Sequence, residues 1–192
     1  QAPSMPLIIE EGYTAELRRR LKQGELDAIL VSLPFEEPGV VTLAVYEEPF
    51  VALLPAAHPL ARDEEISLPG LTEENLLLLG SGHCFRDQLL EACPECGRSV
   101  SGDESRPAAL VGSSLETIRH MVASGLGVTV VPCTAAGAEH YAQRLLVVRR
   151  LAEPVPSRQV ALAWRTSFPR PKAIEVLRQA VRACPLSCVR FL

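Results

Sequence analysis

The strongest constraint on the fold is a twenty-residue segment, SSLETIRHMVASGLGVTVVP, at residues 113–132. Ser113 and Glu116 have the spacing of a capping box, and apolar residues then recur at helical spacing. Gly125 follows them, where a glycine commonly ends a helix. Residues 128–131 form an apolar run of the kind found in buried strands. The segment therefore predicts a helix that leads into a buried strand, the repeating unit of an α/β fold.

The rest of the chain continues the alternation of strand and helix. A first helix is predicted with Thr14 as N-cap and Gly24 at its end, and a last one over residues 170–184. This alternation predicts the α/β class with largely parallel pairing, and two sheets joined by crossing strands are favoured over a single doubly wound sheet. Strands are predicted near residues 7–9, 27–33, 41–46, 50–54, 76–79, 108–111, 128–131, 144–151 and 158–165.

Composition and charge exclude several classes of protein. The chain has 192 residues, 47% of them hydrophobic and 22% charged, which suffices for a core and argues against disorder. A net charge of −4 argues against a grip on nucleic acid through its phosphates, and the basic run at residues 18–22 is interpreted as a solvated helix face. No stretch approaches the ~20 apolar residues of a membrane span, and no signal-peptide pattern opens the chain. The six cysteines are therefore expected to be reduced thiols, redox groups or metal ligands in a cytoplasmic protein.

The densest cluster of chemistry is GSGHCFRDQLLEACPEC, at residues 80–96. Cys84 follows a glycine turn and begins a helical pattern, so it is predicted at a helix N-terminus. Unpaired N–H groups and the positive end of the helix dipole stabilise an anion there, and His83 and Arg86 are its neighbours. These features favour the thiolate, the form that attacks peroxide and yields a sulfenic acid. The alternative is a buried structural cysteine with an inert thiol.

Cys93 lies nine residues beyond Cys84. Along an intact helix that separation is a rise of ~13.5 Å with the two thiols on opposite faces, whereas a disulfide needs Cα atoms roughly 4.4–6.8 Å apart. A bond between the two therefore requires the helix to unwind, or Cys93 to lie past its end, which Pro94 favours. Two thiols held apart by folded structure and joined after refolding would form a redox switch.

The other cysteines leave alternatives open. Cys96 completes a Cys-x-x-Cys spacing with Cys93, and it could compete with Cys93 as the resolving thiol. The same pair could supply half of a zinc site, with Cys184 and Cys188 as the other half, although the irregular spacing disfavours a metal. Cys133 follows a buried strand and is interpreted as a packing residue.

Four polar residues are further candidates for ligand binding. Thr14, Ser113 and Ser114 each fall at a predicted helix N-terminus, where anions and small polar ligands bind in two-lobed α/β proteins. Plain helix capping is the alternative for each of them. Arg165 ends a predicted strand and could reach a cleft, or it could be a surface charge.

Three motifs resemble one known family. EEGYTAELRRRLKQGELDAILV and VASGLGVTVVP are similar to hallmark segments in the effector domain of LysR-type transcriptional regulators. GHCFRDQLLEAC together with SSLETIRHMVASG resembles the peroxide-sensing branch of that family. The resemblance runs from about residue 7 to residue 181.

The resemblance implies a domain organisation. It implies two Rossmann-like α/β subdomains joined by crossover strands, like a periplasmic binding protein, with crossings near Glu47 and Trp164. Residues 1–47 with 164–192 would form the first subdomain, and residues 48–163 the second. The winged helix-turn-helix that reads DNA, and the first strand and helix of the first subdomain, are expected to be absent from this chain.

The resemblance also implies a function. Cys84 matches the peroxidatic cysteine and Cys93 the resolving one, while His83, Arg86 and Asp87 match residues around the reactive thiol. Hydrogen peroxide would be both ligand and reactant, with no cofactor and no metal.

The partners implied are a second copy of the chain, in dimers and in full-length tetramers, promoter DNA through the absent domain, RNA polymerase, and glutaredoxin or a similar thiol reductant. Two alternatives remain at this point. One is a thiol peroxidase enzyme that uses the same cysteines, and the other is a LysR-type domain that binds an organic effector.

Overall fold

The chain folds into short helices and strands. The computed structural model describes residues 5–100, 110–137 and 145–192. The helices are α1 (Thr14–Gln23), α2 (Cys84–Ala92), α3 (Leu115–Ala123), α4 (Cys133–Ala136) and α5 (Pro171–Arg182), with 3₁₀ turns at Pro59–Arg62, Pro69–Glu73 and Pro94–Val100. The strands are β1 (Ala28–Ser32), β2 (Val40–Pro55), β3 (Glu65–Ile66), β4 (Leu78–Leu79), β5 (Val111–Gly112), β6 (Thr129–Pro132), β7 (Leu146–Leu151), β8 (Ser157–Arg165) and β9 (Arg190–Phe191).

The chain divides into two compact units. The first comprises residues 1–48 and 158–192, and the second comprises residues 49–157. The chain passes between them within β2 and at the start of β8. The sequence prediction has these boundaries after residues 47 and 163.

In the first unit, β8 lies between β1 and β2, and β9 pairs antiparallel with β2. β1 and β8 are antiparallel, with Ala28 opposite Trp164. One face of the unit packs Leu21 of α1 on Ile29, Val31, Phe35 and Ala163, and a second cluster forms around Val45, Tyr46, Val160, Leu162 and Ile174. Burial of this apolar area is the main source of its stability.

In the second unit, the last residues of β2 pair antiparallel with both β6 and β7, and β3 adds parallel to β7. β4 and β5 form a separate parallel pair, and Leu76 bridges to Val128 in parallel. α2 and α3 cover these short strands. The unit's core is a continuous apolar cluster that includes Phe50, Leu53, Leu76, Leu77, Leu78, Phe85, Leu89, Ile118, Val122 and Val130.

The prediction of largely parallel pairing is wrong for the long strands, although the α/β class is confirmed. Parallel neighbours need a crossover connection between them. The chain supplies helical crossovers at α2, between β4 and β5, and at α3, before Val128, and there the pairing is parallel. β2 pairs instead with strands that run back along it, so the sheets are mixed.

Two strand predictions fail for identifiable reasons. Residues 7–9 form no strand, and Ile8 is 86% exposed, because no described strand pairs with this segment. Pro49 was expected to separate two strands, yet β2 runs through it. Its missing N–H is tolerated because it falls between two ladders, one that pairs Glu47 with β9 and one that pairs Phe50 with β6.

The basic run on α1 is confirmed as a solvated face. Arg20 lies 2.7 Å from a carboxylate oxygen of Glu10 and 3.3 Å from one of Glu25, and Lys22 lies 2.6 Å from Glu37. These carboxylates offset much of the positive charge of the run. Across the described ranges, no helix combines the length and the apolar character that crossing a bilayer requires.

The two glycines after α3 have different tasks. Gly125 adopts φ 76° with open space around a Cβ, whereas a Cβ on Gly127 would lie 2.1 Å from the carbonyl oxygen of Asn75. The absence of a side chain at Gly127 therefore allows Val128 to pair with the residues that precede β4.

We expect Gly127→Ala to destabilise the protein far more than Gly125→Ala. Gly125→Ala places one alanine in the left-handed region, which should lower the free energy of unfolding by about 1–2 kcal/mol. Gly127→Ala also forces the backbone of residue 75 away from its hydrogen bond with Val128. Urea unfolding of both variants measures the difference, and equal losses would contradict the close approach.

Candidate functional site

The candidate site lies at the start of α2. β4 leads through a turn, with Gly82 at φ 94°, into α2, and Cys84 is its first residue after the N-cap His83. Cys84 is half-buried and carries a thiol. Phe85 and Leu89 anchor the helix in the core, and Phe85 meets the ring of Phe50 edge-on with centroids 4.8 Å apart. The predicted position of Cys84 at a helix N-terminus is confirmed.

The N-terminus of α3 lies beside the N-terminus of α2. Because β4 and β5 are parallel neighbours, the helices that follow them begin at the same edge. Gly80 N–H donates to the carbonyl oxygen of Gly112 at 3.0 Å, and His83 Nε2 lies 3.0 Å from that of Ser113. A carbonyl can only accept, so Nε2 carries the proton and donates. Two helix dipoles thus present their positive ends side by side, which favours an anion near Cys84.

The other two residues expected around the thiol lie on the first turn of α2. Arg86 donates from Nη1 to the carbonyl oxygen of Leu79 at 2.7 Å, which ties the helix to the end of β4. Asp87 is exposed, and a carboxylate in the first turn stabilises the helix through its dipole. Both side chains help to hold Cys84 in place.

The structure pairs Cys93 with Cys96 in a disulfide, with Cα atoms 5.4 Å apart. Cys93 is the C-cap of α2, so the whole helix separates it from Cys84, and a bond between those two cannot form while α2 is intact. Both cysteines of the disulfide are buried: Cys93 is 2% exposed and Cys96 is 0% exposed. Of the pairings that the sequence left open, Cys93–Cys96 is the one present here.

The zinc alternative would need Cys93, Cys96, Cys184 and Cys188 as four thiolate ligands. Among the residues that the structure describes, no three histidine, cysteine or acidic side chains converge to hold an ion. Cys93 and Cys96 are joined to each other, and Cys184 is an exposed thiol. Cys133 is buried at the start of α4 but is disulfide-bonded, so the prediction that it serves only for packing is wrong.

The three hydroxyl candidates differ in their surroundings. Ser114, not Ser113, is the N-cap of α3, and its Oγ accepts from Thr117 N–H at 3.1 Å. The predicted capping box at Ser113 is therefore wrong by one residue. Thr14 is also not an N-cap, because Tyr13 holds that position and α1 has no side-chain cap. Thr14 belongs to the first unit and the two serines to the second.

Arg165 has a structural contact that the sequence did not reveal. Its Nη1 donates to the carbonyl oxygens of Leu21 and of Leu26, at 2.6 Å for Leu26. It thereby caps the last turn of α1, next to the glycine terminator Gly24. A ligand-binding role for Arg165 stays a prediction.

Two buried ionic groups escaped the sequence prediction. Glu48 is completely buried, and its Oε1 accepts from Arg158 Nε at 2.7 Å. Arg119 is buried on α3 and donates to the carbonyl oxygens of Ala135 and Gly137, at 2.5 and 2.9 Å. Nothing in the local sequence distinguishes these residues from surface charges.

The two-unit α/β fold with crossover strands, and a cysteine at paired helix N-termini, define a regulatory domain of the periplasmic-binding-protein type. The LysR substrate binding domain family matches residues 1–184. The reduced form of OxyR from N. meningitidis has a TM-score of 0.89 at 42% identity, covering 100% of this chain and 87% of that one. The reduced OxyR regulatory domain from Pseudomonas aeruginosa has a TM-score of 0.84 at 52% identity, with 95% and 85% covered.

Curated relatives agree with these structures. A "Probable hydrogen peroxide-inducible genes activator" of Streptomyces viridosporus is 40% identical over 192 residues, which is 98% of this chain and 60% of the relative. The "DNA-binding transcriptional dual regulator OxyR" of Escherichia coli K12 is 32% identical over 181 residues, 94% and 57% of the two chains. The chain thus spans little more than half the length of these relatives, which are named as regulators and not as enzymes. The chain belongs to the LysR substrate-binding domain family, in its OxyR branch.

The contacts of Arg165 lead to a stability prediction. Arg165→Ala should lower the free energy of unfolding by about 1.5–3 kcal/mol, because it removes two charge-assisted hydrogen bonds, one to Leu21 in the last turn of α1 and one to Leu26 in the loop after it. Arg170→Ala, an exposed arginine five residues on, is the control and should change it by about 0.5 kcal/mol or less. Urea unfolding measures both, and equal effects would contradict the capping role.

Cys84 and Cys184 form a matched pair of thiols. Cys184 is exposed just past the C-terminus of α5, and its thiol donates to the carbonyl oxygen of Ala180 at 3.4 Å. Cys84, at a helix N-terminus, should be alkylated faster by iodoacetamide at pH 7 even though it is less exposed. Peptide mapping over time gives both rates, and faster labelling of Cys184 would show that exposure governs reactivity.

Proposed function

We propose that this chain is the redox-sensing regulatory domain of a peroxide-responsive transcriptional regulator. The observation that carries the proposal is the Cys84 thiol at the first position of α2, beside the N-terminus of α3. A helix N-terminus stabilises a thiolate and offers N–H donors to the peroxide that the thiolate attacks, which supports this role for Cys84.

The chemistry has two steps. The Cys84 thiolate attacks one oxygen of hydrogen peroxide, the O–O bond breaks, and Cys84 becomes a sulfenic acid while water forms. The Cys93 thiol then attacks the sulfenic sulfur, which forms a Cys84–Cys93 disulfide and releases a second water. Two electrons from the protein reduce one peroxide. The second step requires Cys93 as a thiol, so the Cys93–Cys96 disulfide must be open when the signal arrives.

The second step couples oxidation to a change of shape. A Cys84–Cys93 bond requires α2 to unwind, which removes Phe85 and Leu89 from the core. Exposing two such side chains costs about 1.5–3 kcal/mol each, so the covalent bond must hold the second conformation against a strong tendency to refold. The new surface around the unwound segment is where an oligomer interface would change.

The partners follow from a regulator of this kind. The chain would associate with a second copy, and with more copies in the full-length tetramer, while promoter DNA in the cytoplasm would be bound by a part of the protein outside this chain. The altered oligomer, bound to promoter DNA, would contact RNA polymerase. Glutaredoxin or a similar thiol reductant would return Cys84 and Cys93 to thiols. The names of two relatives, a probable activator of hydrogen peroxide-inducible genes and a DNA-binding transcriptional regulator, support the roles of peroxide and of DNA in this proposal.

Replacing Cys84 tests the proposal. Cys84→Ser should abolish sulfenic acid formation and intramolecular disulfide formation by one equivalent of peroxide, because the attacking thiolate is lost. Cys93→Ser should keep the sulfenic acid, trapped with dimedone and detected by mass spectrometry, while losing its resolution. Cys184→Ser is the matched control and should behave like the unaltered chain.

The same assay separates the alternatives. A single stoichiometric oxidation supports a sensor, whereas sustained peroxide consumption with a dithiol reductant would support a thiol peroxidase. An unchanged peroxide reaction in Cys84→Ser, together with calorimetric binding of a metabolite, would instead support a domain for an organic effector.

A further inference from the structure

Two cysteines, Cys93 and Cys96, lie at the C-terminal end of α2. Cys93 caps the helix, and Cys96 lies on the 3₁₀ turn that follows. The backbone N–H of Cys96 donates to the Sγ atom of Cys93 at 3.2 Å, a contact that would also stabilise a thiolate on Cys93. The proposed function uses Cys84 and Cys93 and leaves Cys96 unexplained.

The two disulfides open to Cys93 differ in what they require of the fold. The Cys93–Cys96 bond coexists with an intact α2 and with Phe85 and Leu89 buried. The Cys84–Cys93 bond requires that helix to unwind. The structure that contains Cys93–Cys96 is also similar to the reduced form of OxyR, with a TM-score of 0.89. The folded chain therefore favours Cys96 over Cys84 as the partner of Cys93.

We propose that Cys96 is a third redox-active residue, which takes Cys93 from Cys84 and so ends the oxidised signal without an external reductant. This inference rests on the proposed function, because it acts on the Cys84–Cys93 disulfide formed there. After the exchange, the protein remains oxidised by two electrons, with the disulfide now between Cys93 and Cys96.

The step is a thiol–disulfide exchange. The Cys96 thiolate attacks Sγ of Cys93, the Cys93–Cys96 bond forms, the Cys84–Cys93 bond breaks, and Cys84 leaves as a thiolate. The proton lost by the Cys96 thiol passes to solvent and is available to Cys84. No electrons are gained or lost, since one disulfide replaces another. A leaving thiolate at a helix N-terminus is a good leaving group, and α2 can then refold around it.

The exchange has a consequence for a second exposure to peroxide. Cys84 is again a thiol and can be oxidised, but Cys93 is no longer available to resolve its sulfenic acid. Cys93 and Cys96 are buried at 2% and 0% exposure, so a reductant reaches them only when the turn opens. Each chain would therefore signal once until this disulfide is reduced.

A time course of disulfide mapping tests the relay. The purified chain is fully reduced, freed of reductant without oxygen, given one equivalent of hydrogen peroxide, and quenched in acid before alkylation and peptide mapping. In the unaltered chain, the Cys84–Cys93 link should appear first and decline while Cys93–Cys96 rises and alkylatable Cys84 returns. In Cys96→Ser and in Cys96→Ala, Cys84–Cys93 should persist at least about tenfold longer.

Cys84→Ser supplies the complementary control. It should form little Cys93–Cys96 in the same interval, because the oxidising equivalents enter through Cys84. Equal formation of that link in Cys84→Ser and in the unaltered chain would overturn the relay, as would equal persistence of Cys84–Cys93 with and without Cys96. If Cys84–Cys93 fails to form even in the Cys96 variants, the proposed switch itself is wrong. The experiment thus distinguishes failure of the relay from failure of the proposed Cys84–Cys93 switch.

Discussion

The packing of α2 against the core of the second unit is the constraint on which the site depends. Phe85 and Leu89 are buried on one face of this helix, so its nine residues hold their length and direction. The helix places Cys84 at one end and Cys93 at the other. Because covalent contact between these two requires the loss of that packing, a chemical event at one sulfur can be converted into a structural event across the whole segment.

The position of a cysteine relative to a helix end sets the electrostatic surroundings of its thiol. Cys84 lies where two helix N-termini meet, and the Nε2–H group of His83 donates to the carbonyl oxygen of Ser113. Cys184 occupies the opposite setting, past a helix C-terminus with its thiol on a carbonyl oxygen. Cys84 therefore lies near the N–H groups at the start of a helix, whereas Cys184 lies near a C=O group at the end of one.

The strands that connect the two units contain a proline and a buried ion pair. β2 runs through Pro49, whose lack of an N–H would interrupt a ladder elsewhere, and the buried Glu48 beside it is matched by Arg158. Arg165 and Arg119 likewise donate to backbone carbonyls where helices end. Arg165 and Arg119 each use two hydrogen bonds from one guanidinium to hold the end of a helix and the loop that follows it.

The sequence by itself determined the class of fold, the helix that starts at Cys84 and the glycine that ends α1, since each depends on local patterning and backbone freedom. It misplaced the cap of α3 by one residue, split β2 at Pro49 and predicted a strand at residues 7–9, because caps, ladders and pairing depend on neighbours far along the chain. Only the tertiary structure decided that Cys93 reaches Cys96 and that Arg165 caps α1. Three residues of separation permit a disulfide, but the turn after α2 decides whether the two sulfurs meet.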